Sequence, residues 1–213
     1  MTFEGFIYIS RYFSLLVLLP IGLGIYYYGI LRLPIRIIFF FCCVCLLMEF
    51  YANYTSLMKK QNLIGFNLYS IIEFVFYAVY FNKLRPDCIT NFVRNVSIFF
   101  IIILFACFGE STTGFSSLIK AIECLVIIGF CLYVLYKMID ELKVPQIETD
   151  PNFWVLSGIL IYFSSSFFVF LLSNISLKND QIALIYIWVS HSVFNAIKYL
   201  IYGRAIWLEK KIS

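Results

Sequence analysis

Seven long stretches of almost uninterrupted apolar residues constrain this chain more than any other feature. A helix that crosses a lipid bilayer needs about 20 mostly apolar residues, and each stretch is near that length. Their bounds are Phe6–Leu31, Ile35–Met58, Gly65–Phe81, Phe92–Phe108, Phe115–Met138, Phe153–Ile175 and Ile182–Trp207. Because the bilayer interior offers no water to backbone groups, each stretch must form its hydrogen bonds internally. The sequence therefore predicts an all-α polytopic membrane protein, a seven-transmembrane-helix bundle.

The composition excludes the usual soluble classes of protein. Hydrophobic residues make up 62% of the chain and charged residues only 13%, so a water-soluble globule could not bury the apolar surface. The links between stretches are short, which predicts antiparallel packing of successive helices and a single transmembrane domain over residues 1–213. The lipid bilayer is the first expected partner. No nucleic-acid partner is expected, because no basic patch carries exposed aromatic rings.

Basic residues are distributed unevenly between the two predicted sides of the membrane. The side of the C-terminus carries ten, which are Arg32, Arg36, Lys83, Arg85, Arg94, Lys137, Lys143, Arg204, Lys210 and Lys211. The other side carries five, which are Arg11, Lys59, Lys60, Lys120 and Lys178. Since Lys and Arg concentrate in cytoplasmic loops, we predict a multi-pass protein of the cell inner membrane with its N-terminus out and its C-terminus in. Lys198 lies within the last stretch, and we expect its side chain to extend to the inner headgroups.

Four ionisable side chains lie deep within the predicted helices, although each costs about 3 kcal/mol or more in hydrocarbon. They are Glu49, Glu73, Glu123 and His191. At about 1.5 Å per residue, all four lie about 12–14 Å below the outer surface. Helical spacing places Asn53, Tyr69 and Asn195 on the same faces. These seven residues predict a polar, outward-opening chamber that could hold a cation, a proton or a polar headgroup; the alternative is a structural role in which they hold helices in register.

Three classes of function fit such a chamber. The first is a ligand-sensing or accessory protein that acts through a cytoplasmic or membrane protein partner, because the short links leave no room for an effector domain. The second is a small-solute or proton-coupled transporter, because helices two and three carry polar stripes like those of helices six and seven. The third is an intramembrane metal-dependent hydrolase, because three Glu and one His could bind a metal. The chain contains no HExxH or GxSxG motif, which disfavours an enzyme, and no particular cofactor is predicted.

Three groups of residues resemble those of a group of uncharacterised bacterial seven-helix integral membrane proteins. They are Asn67-Leu68-Tyr69-x-x-x-Glu73-Phe74, Phe153-Trp154-x-x-Ser157-Gly158-x-x-Ile161-Tyr162 and His191-Ser192-x-x-Asn195. The resemblance covers the whole chain and implies the seven-helix architecture. It implies no activity, because the group has no established one.

Overall fold

The computed structural model describes residues 12–58, 62–85, 117–141, 146–179 and 181–211, together with Ile98. Within these residues the fold is all-α. The six helices are α1 (Leu18–Tyr26), α2 (Leu33–Leu57), α3 (Leu63–Leu84), α4 (Ser117–Asp140), α5 (Pro151–Asn179) and α6 (Gln181–Glu209). Short 3₁₀ turns cover Leu15–Val17, Tyr28–Ile30 and Ile147–Thr149. The predicted stretch Phe92–Phe108 lies outside the described residues, apart from Ile98.

Three of the described helices are long and apolar enough to cross a membrane. Their spans are Leu33–Thr55 in α2, Ile119–Asp140 in α4 and Pro151–Leu172 in α5. A shorter apolar helix covers Tyr12–Tyr26. Helices α3 and α6 have 22 and 29 residues. The chain is therefore a helical transmembrane protein, and each of its described helices coincides with one of the predicted stretches.

Pro20 and Gly24 shape helix α1 and its contact with α2. A 3₁₀ turn over Leu15–Val17 comes directly before the helix. In a regular α-helix the Pro20 ring would clash with the Leu16 carbonyl, four residues earlier, and the 3₁₀ turn lies at that position. Further along, a Cβ built on Gly24 would lie 2.1 Å from the Phe39 ring of α2. Gly24 therefore permits α1 and α2 to pack closely.

One side chain of α3, that of Tyr77, contacts three other helices. The hydroxyl of Tyr77 lies 2.9 Å from that of Tyr202 in α6. Its ring centroid lies 4.9 Å from that of Phe41 in α2 and 5.2 Å from that of Phe163 in α5. All four side chains are buried. Because each hydroxyl satisfies the other away from water, this pair holds α3 and α6 in one register.

Helices α3 and α4 run in the same direction. Arg85 follows the end of α3, and its Nη1 lies 2.5 Å from Oε2 of Glu141, which follows the end of α4. Nearer the other end of both helices, the Ser70 hydroxyl donates to Glu123 at 3.0 Å. The end of α3 and the start of α4 therefore lie at opposite ends of the bundle.

An ion-pair cluster, here called the basal clasp (Arg32, Asp150 and Glu209), joins the ends of α2, α5 and α6. The Arg32 backbone N–H and Nε both donate to Oε1 of Glu209, at 2.9 and 2.6 Å, and Nη2 donates to Oε2 at 3.1 Å. Nη2 also lies 3.6 Å from Oδ1 of Asp150. The hydrogen bond with Glu209 raises the pKa of Arg32, so its charge persists through the physiological range. Asp150 also accepts the Asn152 N–H at 2.9 Å and thereby caps the N-terminus of α5.

We expect Gly24→Ala to lower the free energy of unfolding by about 1–3 kcal/mol, because the added methyl group meets the Phe39 ring. Thermal unfolding in detergent measures the effect. The matched control is Gly22→Ala in the same helix, where a Cβ would have no neighbour within 4 Å. That variant should be neutral or slightly stabilising, since Ala favours a helix over Gly. Equal effects of the two substitutions would contradict the close contact of α1 and α2.

Candidate functional site

A cavity of about 370 Å³ opens at the end of the bundle opposite the basal clasp. It reaches Asn62 and Gly65, where α2 gives way to α3, and its wall comes mainly from α2, α3, α5 and α6. The volume lies within the range of small-molecule sites, about 300–1,000 Å³. Five of the predicted site residues line it, and these are Glu49, Asn53, Tyr69, His191 and Asn195. Aromatic rings complete the wall, among them Phe66, Tyr162 and Trp188.

Two amide oxygens in the cavity wall lack partners within the described part of the chain. Oδ1 of Asn62 and Oδ1 of Asn195 are buried and have no hydrogen-bond partner. An unsatisfied buried polar atom costs about 1–3 kcal/mol, so a hydrogen-bond donor that entered the cavity would be stabilised there. The Asn53 amide is different, because its Nδ2 donates to the backbone carbonyl of Glu49 at 3.0 Å. The lining therefore offers the Glu49 carboxyl group and two amide oxygens to an occupant.

His191 is held in place by α5 and by aromatic rings. Its Nδ1 lies 3.3 Å from the Ser166 hydroxyl. The imidazole centroid lies 5.4 Å from that of Tyr162, 5.7 Å from that of Phe170 and 5.8 Å from that of Trp188. Ser166 belongs to the run of three serines at the centre of α5. The serine and the rings fix the orientation of the imidazole at the cavity wall.

Glu73 and Glu123 lie behind the cavity wall in a separate group with Lys120. The Lys120 ammonium lies 3.1 Å from Oε2 of Glu73 and 3.0 Å from Oε2 of Glu123. The Tyr69 hydroxyl, at the cavity wall, donates to Oε1 of Glu73 at 3.2 Å. The structure thus differs from the single chamber predicted for all four ionisable groups. Equal depth did not imply a common direction, because the ammonium attracts both carboxyl groups away from the cavity.

Sequence reasoning missed the part that Lys120 has in this group. The charge count placed it on the outer surface, but the structure leaves only 5% of the residue exposed. Its ammonium also lies 5.8 Å from the centroid of the Phe66 ring and 5.9 Å from that of the Phe170 ring. The spacing Lys120-x-x-Glu123 within an apolar helix was the available signal, since residues three apart share a helix face.

The prediction that Lys198 extends to the inner headgroups is wrong. The residue is fully buried, and its ammonium lies 3.6 Å from the centroid of the Tyr162 ring. The rings of Phe41 and Tyr199 lie farther away, at 5.5 and 5.0 Å. Its Nζ has no hydrogen-bond partner in the described residues. Because α6 packs against α2 and α5, the Lys198 side chain points into the bundle. Its ammonium contacts aromatic ring faces there and not lipid headgroups.

No group of three or more His, Cys, Asp or Glu residues that could hold a metal ion occurs in the described ranges. Glu49 and His191 line the cavity, whereas both carboxyl groups behind Tyr69 engage Lys120. The predicted site residues therefore do not form a metal-ligand set in this arrangement.

Comparison of the chain with protein-family models, with curated proteins and with solved structures found no match. The resemblance to uncharacterised bacterial seven-helix proteins stays a prediction. Functional conclusions for this chain depend on its own geometry.

We expect Lys198→Met to raise the free energy of unfolding by about 1–3 kcal/mol. The reason is that Met matches the length of the side chain and removes a buried ammonium without a hydrogen-bond partner. Unfolding in mixed detergent micelles measures the change. Lys83→Met is the control, because Lys83 is exposed on α3 and its loss should change stability by less than about 0.5 kcal/mol. A marked loss of stability in Lys198→Met alone would mean that the aromatic contacts outweigh the cost of burial.

Proposed function

We propose that this chain is a seven-crossing protein of the cell inner membrane that binds a small polar molecule in its cavity and acts as a sensor or accessory protein through a partner. The single observation that carries the proposal is the cavity, which combines unsatisfied amide oxygens, a carboxyl group and aromatic walls. Binding sites for small molecules commonly combine apolar walls with a few fixed polar groups. The lining favours an occupant that donates hydrogen bonds.

The seven crossings are supported by the direction of the helices. Helices α3 and α4 end on the same side, joined by Arg85 and Glu141, so the end of α3 and the start of α4 lie on opposite sides, as a further crossing between them requires. The excess of basic residues on the side of the basal clasp supports a cytoplasmic location for that side. Burial of Lys120 removes one basic residue from the opposite side, which increases the asymmetry.

Helix α6 connects the cavity with the basal clasp at the other end of the bundle, which supports the proposal of signalling between them. Asn195 lines the cavity, and Glu209 at the end of the same helix engages Arg32 in the basal clasp. Fourteen residues of helix separate them, which corresponds to about 21 Å. A ligand that shifts α6 would therefore change the ion pairs of the clasp, where a cytoplasmic or membrane partner would detect the change.

A transporter is the second candidate, and the order of helix directions favours it. Helices α1, α2 and α3 alternate in direction, and α4, α5 and α6 repeat the same alternation with α4 parallel to α3. Parallel repeats of this kind occur in some transporters. The metal-dependent hydrolase has no comparable support, because the described residues provide no metal-ligand set.

The ligand-binding proposal predicts that Asn195→Leu abolishes ligand-induced stabilisation. Purified protein in nanodiscs would be tested by thermal unfolding against a panel of small amines, polyols and carboxylates. A ligand at about 100 times its Kd stabilises the folded state by about 2.7 kcal/mol. The control is Ser190→Leu, which makes the same kind of change on an exposed position of α6. Loss of stabilisation in Asn195→Leu alone would support the cavity, and equal stabilisation of both variants would contradict it.

Two further measurements separate the sensor from the transporter. Uptake of the identified ligand into proteoliposomes is expected only for a transporter. A sensor should instead change the distance between spin labels placed at Lys83 and Lys210, near the basal clasp, when the ligand binds. Uptake of the ligand together with an unchanged distance between the spin labels would contradict the sensor and support the transporter.

A further inference from the structure

The buried triad (Glu73, Lys120 and Glu123) contains two acidic side chains and only one ammonium group. Exposure of the three residues is 1%, 5% and 0%. Burying an uncompensated charge in this environment is costly, and two carboxylates that share one site cannot both stay ionised without a penalty. One additional positive charge, or one proton, is needed to make the triad neutral.

The hydrogen bonds of the triad distinguish its two carboxyl groups. Both oxygens of Glu73 accept, Oε1 from Tyr69 and Oε2 from Lys120. On Glu123, Oε2 lies within 3.0 Å of both the Ser70 hydroxyl and the Lys120 ammonium, whereas Oε1 has no partner among the residues that the structure describes. A proton on Oε1 would make Glu123 neutral while Oε2 keeps both hydrogen bonds. Glu73 is thus suited to be the ionised partner of Lys120, and Glu123 to be the neutral one.

We propose that the buried triad binds one exchangeable proton on Glu123 and that Tyr69 connects this proton to the cavity. The proton site is independent of the cavity's ligand, so it does not depend on the proposed function. The hydroxyl of Tyr69 lies at the boundary between the two sites, because Tyr69 lines the cavity and its Oη contacts Glu73. It also lies 3.4 Å from Sγ of Cys45, another cavity residue.

The transfer conserves protons at each step. A proton from the cavity binds the Tyr69 hydroxyl as that hydroxyl gives its own proton to Glu73. Rotation of the neutral Glu73 carboxyl group turns its proton from the side of Tyr69 to that of Lys120. Lys120 takes up this proton while donating one of its own to the near oxygen of Glu123. Rotation of the Glu123 carboxyl group then places the O–H at the position of Oε1, and the ammonium is restored. The net result is one proton moved from the cavity to Glu123.

Other titratable groups near the triad come from each helix packed around it. They are Cys45 on α2, Tyr77 on α3, Cys124 on α4, Tyr162 on α5 and His191 on α6. Lys198 on α6 is a second buried ammonium, and it contacts the Tyr162 ring. Glu49 is a half-buried acid that lines the cavity. A test of the proton site must therefore distinguish Glu123 from Glu49.

Infrared spectroscopy near neutral pH tests the proton directly, because a protonated carboxyl group has a C=O stretch separate from that of a carboxylate. The spectrum of each variant is subtracted from that of the wild type. The wild-type protein in nanodiscs should show this band, and Glu123→Gln should lose it. Lys120→Met should increase the band to about twice its area, since both carboxyl groups are then neutral. Glu148→Gln, at an exposed position, should leave it unchanged. Absence of the band in the wild type would overturn the proposal, and so would a band that persists in Glu123→Gln but disappears in Glu49→Gln.

The connection through Tyr69 is tested by hydrogen–deuterium exchange of the same band. Tyr69→Phe removes the hydroxyl and keeps the ring, so transfer of the wild-type protein and the variant into D₂O should shift the band more slowly in the variant. Tyr133→Phe, on an exposed face of α4, is the control and should exchange at the wild-type rate. Equal rates in all three proteins would overturn the connection. Where Glu123→Gln fails to fold, Glu49→Gln decides the proton site, because the band should persist in that variant.

Discussion

The pairing of Lys120 with carboxyl groups from two helices is the interaction on which the interior of the bundle depends. A charge in hydrocarbon must find its counter-charge within the protein, and this requirement joins α3 to α4 through Glu73 and Glu123. Aromatic rings from α3 and α5 enclose the ammonium. With α3 held on this side, Tyr77 can contact α2, α5 and α6 on the others. Electrostatic and aromatic contacts thus favour one arrangement of the helices. Burial of apolar side chains discriminates poorly between arrangements in a bilayer, because lipid tails are also apolar.

The two ends of the bundle have different chemistry. One end contains a cavity in which the amide oxygens of Asn62 and Asn195 have no partner among the described residues. The other end contains carboxylates that are paired with arginines. An unsatisfied site is open to a ligand, whereas the hydrogen bonds of the ion pairs are already formed. Because α2 and α6 each contribute to both ends, a displacement of either helix at the cavity would reach the ion pairs.

Much of the architecture could be predicted from the length and apolar character of the stretches, because those properties fix helices regardless of their neighbours. The cap at Asp150 was likewise a local property. The site was only partly predictable. Glu49 and His191 line the cavity, but the direction of Glu73 depends on Lys120, a partner 47 residues away. Helical periodicity gives the face on which a residue lies, and only the packing of several helices decides which space that face meets.

The length of the α5–α6 hairpin has a consequence for the membrane surface. Each of these helices has 29 residues, or about 43 Å, against a hydrocarbon core of about 30 Å. If the start of α5 and the end of α6, which are tied together through Arg32, lie at the membrane surface, the overhang falls at the opposite end. Upright helices would lift the hairpin tip about 13 Å clear of the acyl chains, and tilt would shorten that overhang. The tip is therefore the natural place to attach an epitope or an affinity handle without disturbing the lipid-facing surface.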